Sequence, residues 1–112
     1  MRYVFLILCV LVLSRVSWSH PAQSVKAEYD SVKKELRVIA EHTVQKPNDH
    51  YINKIEVFVD GEIVITQTFK SQKDGLAQDV LYTLFDVKSG SKIKVSTVCN
   101  KSGIKSTEII VK

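Results

Sequence analysis

The fold is decided by residues 35–61, which read ELRVIAEHTVQKPNDHYINKIEVFVDG. Residues 35–41 and residues 52–60 both alternate between apolar and polar side chains, and this period of two predicts half-buried strands rather than helices. The inward positions are Leu36, Val38, Ala40, Ile55, Val57 and Val59. Asp60-Gly61 is a strong hairpin signal, because its residues suit a two-residue turn. The stretch therefore predicts two strands, the loop that joins them, and a hairpin into a third strand.

Five more segments outside this stretch have the same alternating pattern. They cover residues 25–29, 62–69, 77–85, 92–99 and 104–111. In the second of these segments we expect Ile63 and Ile65 to share the inward face. No segment has a convincing helical period. Seven short strands with turns about every ten residues predict an all-β fold, a seven-stranded antiparallel immunoglobulin-like β-sandwich.

The first 19 residues have the order of a secretory signal peptide. Arg2 precedes the apolar run 3–13, and small polar residues follow up to Ser19, where we expect cleavage. The apolar run is shorter than the roughly 20 residues that span a bilayer, so no stable membrane span is predicted. The sequence thus predicts a signal peptide at 1–19 and one exported domain at 20–112, periplasmic or secreted.

The charge balance gives no indication of a nucleic-acid partner. The chain has 16 basic and 12 acidic side chains among its 112 residues. Loss of Arg2 and Arg15 with the signal peptide leaves 14 basic side chains against the same 12 acidic ones. The remaining sequence has no basic run and no aromatic platform, so we expect no nucleic acid to bind.

The number of cysteines bears on whether the exported domain has a disulfide, a buried apolar cysteine, or a metal ligand or reactive thiol. Cys9 lies in the predicted signal peptide, which leaves Cys99 alone in the exported domain. Small exported domains usually use cysteines in pairs, as disulfides. A single cysteine is therefore either a buried apolar residue or a metal ligand or reactive thiol.

The predicted topology brings Cys99 and the three histidines to one end of the sandwich. The second and sixth strands of an immunoglobulin-like sandwich run in the same direction, so both end at the same pole. His42 and Cys99 continue the inward parity of these strands. His50 lies in the loop that follows, and His20 precedes the first strand, which begins at this pole. We therefore expect His20, His42, His50 and Cys99 to meet.

Two interpretations of this pole remain open. Imidazole and thiolate ligands suit iron, copper or zinc and do not suit calcium or magnesium. The spacing lacks the paired Cys-x-x-Cys of a zinc finger. Alternatively, each histidine serves only to form hydrogen bonds at a strand end or in a loop.

Several motifs together resemble the iron-binding domain of superoxide reductases and desulfoferrodoxins. They are His42, His50-Tyr51-Ile52 eight residues later, Lys54–Gly61, and Cys99-Asn100-Lys101-Ser102-Gly103. The resemblance extends from about residue 20 to residue 111. It implies an immunoglobulin-like sandwich with mononuclear non-haem iron, held by four planar histidines and one axial cysteine, that reduces superoxide to hydrogen peroxide.

The resemblance also assigns roles to residues of this chain. It implies that His42 and His50 are equatorial ligands and that Cys99 is the axial ligand and the catalytic thiolate. It further implies that a lysine steers the anionic substrate to the metal. The candidates are Lys46, Lys101 and Lys105.

Two departures from the family pattern reduce the expected ligand set. The family usually has a histidine three residues after the cysteine, where this chain has Ser102. The family's early Glu-Lys-His-Val-Pro segment is absent, and only His20-Pro21 matches part of it. At most three histidines and one thiolate remain.

Three function classes follow from these observations. The first is an exported iron protein of the superoxide reductase type, whose partner is superoxide or a small redox partner. The second is a metal carrier, in which His20 at the processed terminus offers an amine and an imidazole that together favour copper. The third is an immunoglobulin-like interaction module with incidental histidines.

Overall fold

A computed structural model describes residues 20–112. The predicted signal peptide at residues 1–19 lies outside the described residues. Within the described range, no helix has the length and apolar character needed to cross a membrane.

Seven antiparallel strands form the domain, which confirms the predicted fold class. They are β1 (Ser24–Asp30), β2 (Glu35–Glu41), β3 (Ile52–Val59), β4 (Glu62–Thr68), β5 (Ala77–Thr83), β6 (Lys92–Cys99) and β7 (Ile104–Ile110). The first sheet has the order β1-β2-β5, and the second has the order β4-β3-β6-β7. The two strands of the quoted stretch therefore lie inside their sheets, one on each side of the core.

The core fills the space between the two sheets. Its members come from alternate positions of the strands, as the sequence pattern predicts. The apolar residues with no exposed surface are Leu36, Val38, Ala40, Ile52, Ile55, Val57, Ile93 and Val95. Because β2, β3 and β6 supply all of them, these three strands hold the sheets together.

The expected inward face of β4 is wrong at one position. Ile65 is paired with Val57 and packs against the core, but Ile63 is 55% exposed. Ile63 is paired with Phe58, the residue directly after Val57, so Val64 is an extra residue on this strand. Such a bulge shifts the side-chain alternation by one position, which places Ile63 on the outer face.

Four strand ends define the pole at which the histidines lie. Ser24 at the start of β1 is paired with Glu41 at the end of β2. Ile52 at the start of β3 is paired with Cys99 at the end of β6. The strand register thus brings the residues just outside these ends, including His42 and His50, to one end of the sandwich.

Two tyrosines beside Leu36 differ in their hydrogen bonding. Tyr29 and Tyr82 are both paired with Leu36, on opposite sides of β2. The Tyr29 hydroxyl donates to the Leu84 carbonyl oxygen at 2.8 Å. The Tyr82 hydroxyl oxygen is buried and has no partner among the described residues. Burial raises the pKa of Tyr82 to about 12.

We predict opposite effects when each tyrosine is changed to phenylalanine. Tyr82→Phe should maintain or raise the free energy of unfolding, since it removes a buried hydroxyl without a partner. Tyr29→Phe should lower the free energy of unfolding by about 1 kcal/mol, since it removes a hydrogen bond. Urea denaturation at pH 7 measures both, and a loss in Tyr82→Phe as large as that in Tyr29→Phe would contradict the prediction.

The raised pKa of Tyr82 also predicts a dependence on pH. The folded state favours the neutral hydroxyl, so its contribution is constant below pH 10, the ordinary tyrosine pKa. It then falls as the pH rises towards about 12. Wild-type protein should therefore lose more stability over this range than Tyr82→Phe does.

Candidate metal centre

His42 is the buried member of the histidine group. It directly follows β2, and its backbone N–H donates to the Leu76 carbonyl oxygen at 2.9 Å. Its ring has no exposed surface, as the inward parity of β2 predicts. Nδ1 lies 2.8 Å from Oε1 of Gln72, and Nε2 lies 2.9 Å from the His20 carbonyl oxygen.

His50 is fixed by a turn on one side and by Asn100 on the other. The backbone N–H groups of Asp49 and His50 both donate to the Lys46 carbonyl oxygen. Asn100 accepts from the Tyr51 N–H at 2.9 Å and donates to the Asp49 carbonyl oxygen at 2.8 Å. Because Asn100 binds the residues on both sides of His50, it holds this histidine beside the turn that begins at Cys99.

Cys99 brings a free thiol against His50. The side chain is 4% exposed, and its Sγ lies 3.2 Å from His50 Nε2. The Lys101 backbone N–H points at the same sulfur, at 3.4 Å. Among residues 20–112, His50 is the histidine within hydrogen-bond distance of this sulfur, and sulfur is a soft donor that suits iron, copper or zinc.

His20 reaches the group through the segment that leads into β1. The backbone N–H of Gln23 donates to the Glu41 carbonyl oxygen at 2.7 Å, and its side-chain oxygen accepts from Thr43. Pro21 lies directly over Gly103, where a Cβ would come within 2.9 Å of the proline ring. Nδ1 of His20 donates to the Pro21 carbonyl oxygen at 2.8 Å, which leaves Nε2 as the ring nitrogen available to a metal.

The three rings form a compact triangle. Their centroids lie 4.7 Å apart for His20 and His42, 5.1 Å for His20 and His50, and 4.7 Å for His42 and His50. One ligand atom from each histidine lies within 4.8 Å of the other two. Burial, together with the neighbouring His42 and His20, lowers the pKa of His50. This favours the neutral imidazole, which is the form that ligates metals.

A pocket of about 220 Å³ opens beside the histidines. It is lined by His20, Thr43, Val44, Gln45, Lys46, Asp49 and His50. Lys46 is the only one of the three candidate lysines among these residues. Lys101 instead pairs with Asp49 at 3.8 Å, and Lys105 lies in β7.

Ser102 stands outside the group. It is exposed in the turn between β6 and β7 and adds no ligand atom to the histidine group. Within residues 20–112, the candidate site thus consists of three imidazoles and the adjacent thiol.

The structure has the fold of superoxide reductases. The superoxide reductase (1Fe-SOR) from Giardia intestinalis superposes with a TM-score of 0.64 at 12% identity, over 82% of this chain and 100% of that chain. The superoxide reductase (neelaredoxin) from Ignicoccus hospitalis gives 0.54 at 22% identity, over 81% and 82%. No protein-family model matches the chain, and no curated protein matches it. At these identities the similarity establishes the fold, and the resemblance seen in the sequence is confirmed at that level.

Two residues of the site have roles that the sequence pattern did not reveal. Asn100 lies in the cysteine turn, but its partners are more than 48 residues away in the chain. Gln72 lies in a polar loop, where side chains are usually solvated, and yet it is buried against His42. Neither role has a periodic signal in the sequence, because both depend on contacts between distant loops.

Contact between Pro21 and Gly103 gives a test of how His20 is positioned. Gly103 and Gly90 have similar positive φ angles of 92° and 87°, but a Cβ on Gly90 would meet nothing within 4 Å. Alanine at either position strains the backbone by about 1 kcal/mol. Only Gly103→Ala should also displace Pro21 and His20, and we expect it to weaken cobalt(II) binding about tenfold or more.

Titration of both variants with cobalt(II), followed by absorption spectroscopy, measures this difference. Gly90→Ala serves as the matched control and should bind cobalt(II) as the wild-type protein does. Equal affinities for the two variants would show that the Pro21 contact does not position a ligand.

Proposed function

We propose that this protein holds a single non-haem iron ion with His20, His42, His50 and Cys99, and that it reduces superoxide to hydrogen peroxide. The observation that carries the proposal is the meeting of three imidazoles and a thiol at one pole of a superoxide reductase fold. The donor set fits the metal, because imidazole and thiolate ligands suit iron.

An iron ion bound here would supply the one electron that, together with two protons, converts superoxide to hydrogen peroxide, and a small reductant would restore it. Cys99 would hold the ion through a soft sulfur donor, and His20, His42 and His50 would hold it through imidazole nitrogens.

Lys46 suits the role of attracting the anionic substrate. It lines the pocket beside His20 and His50, and no carboxylate of the described residues lies within 4 Å of its ammonium group. A cation at the mouth of a pocket raises the local concentration of an anion and so its rate of entry. Lys101 is less suited, since Asp49 partly neutralises it.

Export is part of the proposal. The order of charged, apolar and small residues in 1–19 favours cleavage after Ser19 and a periplasmic or secreted protein. Superoxide and a small redox partner would then be met outside the cytoplasm.

The geometry of His20 favours iron bound by ring nitrogens over a copper chelate at the terminus. A chelate with the α-amine uses Nδ1, the ring nitrogen nearer the backbone. In the structure this nitrogen is occupied by the Pro21 carbonyl oxygen. A copper carrier of this kind would therefore have to break that hydrogen bond, whereas a metal bound by Nε2 would not.

We predict that Cys99→Ser abolishes the thiolate signature of the site. Wild-type protein, loaded anaerobically with ferrous iron and then oxidised, should hold one iron and show a visible thiolate-to-iron charge-transfer band. Cys99→Ser should lose the band, because serine cannot supply a thiolate, while circular dichroism should show an unchanged β-sandwich. A superoxide assay should give one hydrogen peroxide per superoxide consumed.

Two results would overturn the proposal. A wild-type protein that retains no iron and has no band is not an iron oxidoreductase, and an interaction module then becomes the better explanation. A yield of one hydrogen peroxide per two superoxide, with oxygen evolved, would indicate dismutation instead.

We also predict that Lys46→Ala slows the reaction with superoxide by a few fold, because it removes the cation at the pocket. The rate should also become less sensitive to ionic strength. Pulse radiolysis or stopped-flow kinetics at several salt concentrations measures both effects. Lys88→Ala, in the loop before β6, serves as the control for loss of one positive charge, and an equal effect of the two variants would rule out local steering.

A further inference from the structure

The buried side chain of Gln72 has an amide orientation that its surroundings determine. Its Nε2 donates to the carbonyl oxygens of His42 at 2.7 Å and Asp74 at 2.9 Å. Its Oε1 accepts from the backbone N–H of Ile52 at 3.2 Å. Carbonyl oxygens only accept and backbone N–H groups only donate, so the amide oxygen and nitrogen cannot exchange places.

The same amide oxygen faces the ring of His42. Nδ1 of His42 lies 2.8 Å from Gln72 Oε1, which can only accept. Nε2 lies 2.9 Å from the His20 carbonyl oxygen, which is also an acceptor. A metal bound to Nε2 in place of this second contact would leave the ring proton on Nδ1, where Gln72 Oε1 accepts it.

Gln72 also connects the two segments that bear His42 and His50. Its backbone N–H donates to the Pro47 carbonyl oxygen at 2.8 Å, in the loop before His50. Its side chain binds Ile52, two residues after His50. The same residue thus holds the end of β2, the start of β3 and the loop between them in one arrangement.

We infer that Gln72 is the positioning residue of the metal site: its Oε1 lies against Nδ1 of His42 and holds the ring so that Nε2 is presented to the metal. This inference rests on the proposed iron site. Residues that hold the second ring nitrogen of a histidine ligand typically contribute a factor of about 10–100 to metal affinity. Gln72 touches neither the substrate pocket nor any other ligand side chain within hydrogen-bond distance among the described residues.

Gln78 offers a matched control in the same region. It is as deeply buried as Gln72 and makes three hydrogen bonds, to the Ile52 carbonyl oxygen, the Ser71 carbonyl oxygen and the Lys73 N–H. None of its partners is a histidine. Gln78→Met should therefore share the loss of stability that Gln72→Met causes, without a change at His42.

The first experiment locates the ring proton in the metal-bound protein. Long-range ¹H–¹⁵N correlation spectra of the full chain, loaded with diamagnetic zinc(II) at pH 8, report which ring nitrogen of His42 is protonated. We expect a protonated Nδ1 and a metal-bound Nε2 in the wild type. A proton on Nε2 would overturn the inference even if the protein binds metal.

The second experiment compares variants of the full chain by titration with cobalt(II). We expect Gln72→Met to bind about 10–100-fold more weakly than the wild type. Gln78→Met should stay within about threefold of the wild-type affinity, since Gln78 makes no hydrogen bond to a histidine. Equal losses in the two methionine variants would reduce Gln72 to a structural role and overturn the inference.

If the variants do not fold, the zinc(II)-loaded wild-type spectrum still decides. A wild type that binds zinc(II) and cobalt(II) but holds no iron would reject the iron site and leave the role of Gln72 intact.

Discussion

The histidine pole depends on one constraint, which is that buried polar groups need hydrogen-bond partners. His42 follows the most deeply buried strand of the first sheet, so its ring enters the core with two nitrogens and a backbone that require partners. Leu76 supplies one through its carbonyl oxygen, and the Gln72 amide supplies two more. Both partners lie between β4 and β5, so their hydrogen bonds to His42 hold the β4–β5 loop across the end of the sandwich. The loop that bears His50 is fixed as a result, because it binds the same glutamine.

The alternation of apolar and polar residues predicted the strands well, because each strand has this pattern within its own sequence. Residues 35–41 and 92–99 were predicted with the bounds that the structure has, and the convergence of His42 and Cys99 follows from the common direction of these two strands. The position of Ile63 was not predictable in this way, since a bulge depends on the partner strand and leaves the apolar pattern intact. The sequence pattern gave no indication of the roles of individual side-chain atoms. Gln72 and His42 are 30 residues apart, and no periodic signal indicates that the Gln72 amide lies against the His42 ring.

Ligand positions at this pole come from four separate segments of the chain. His20 precedes β1, His42 follows β2, His50 precedes β3 and Cys99 ends β6. A metal bound to all four would join both sheets at one end of a thin core. Ligand binding to the folded state alone adds stability in proportion to the logarithm of ligand concentration. Folding and metal occupancy of this domain are therefore coupled through the proposed site.

Ser102 and His42 differ in how closely each is tied to the fold. Ser102 lies exposed in the turn between β6 and β7, outside the paired residues of either strand. His42 is fully buried, and its ring and backbone make hydrogen bonds to Gln72, His20 and Leu76. A substitution of Ser102 should therefore leave the strand pairing intact, whereas a substitution of His42 should disturb the core. One end of the sandwich thus combines a position that accepts other side chains with one whose side chain the fold requires.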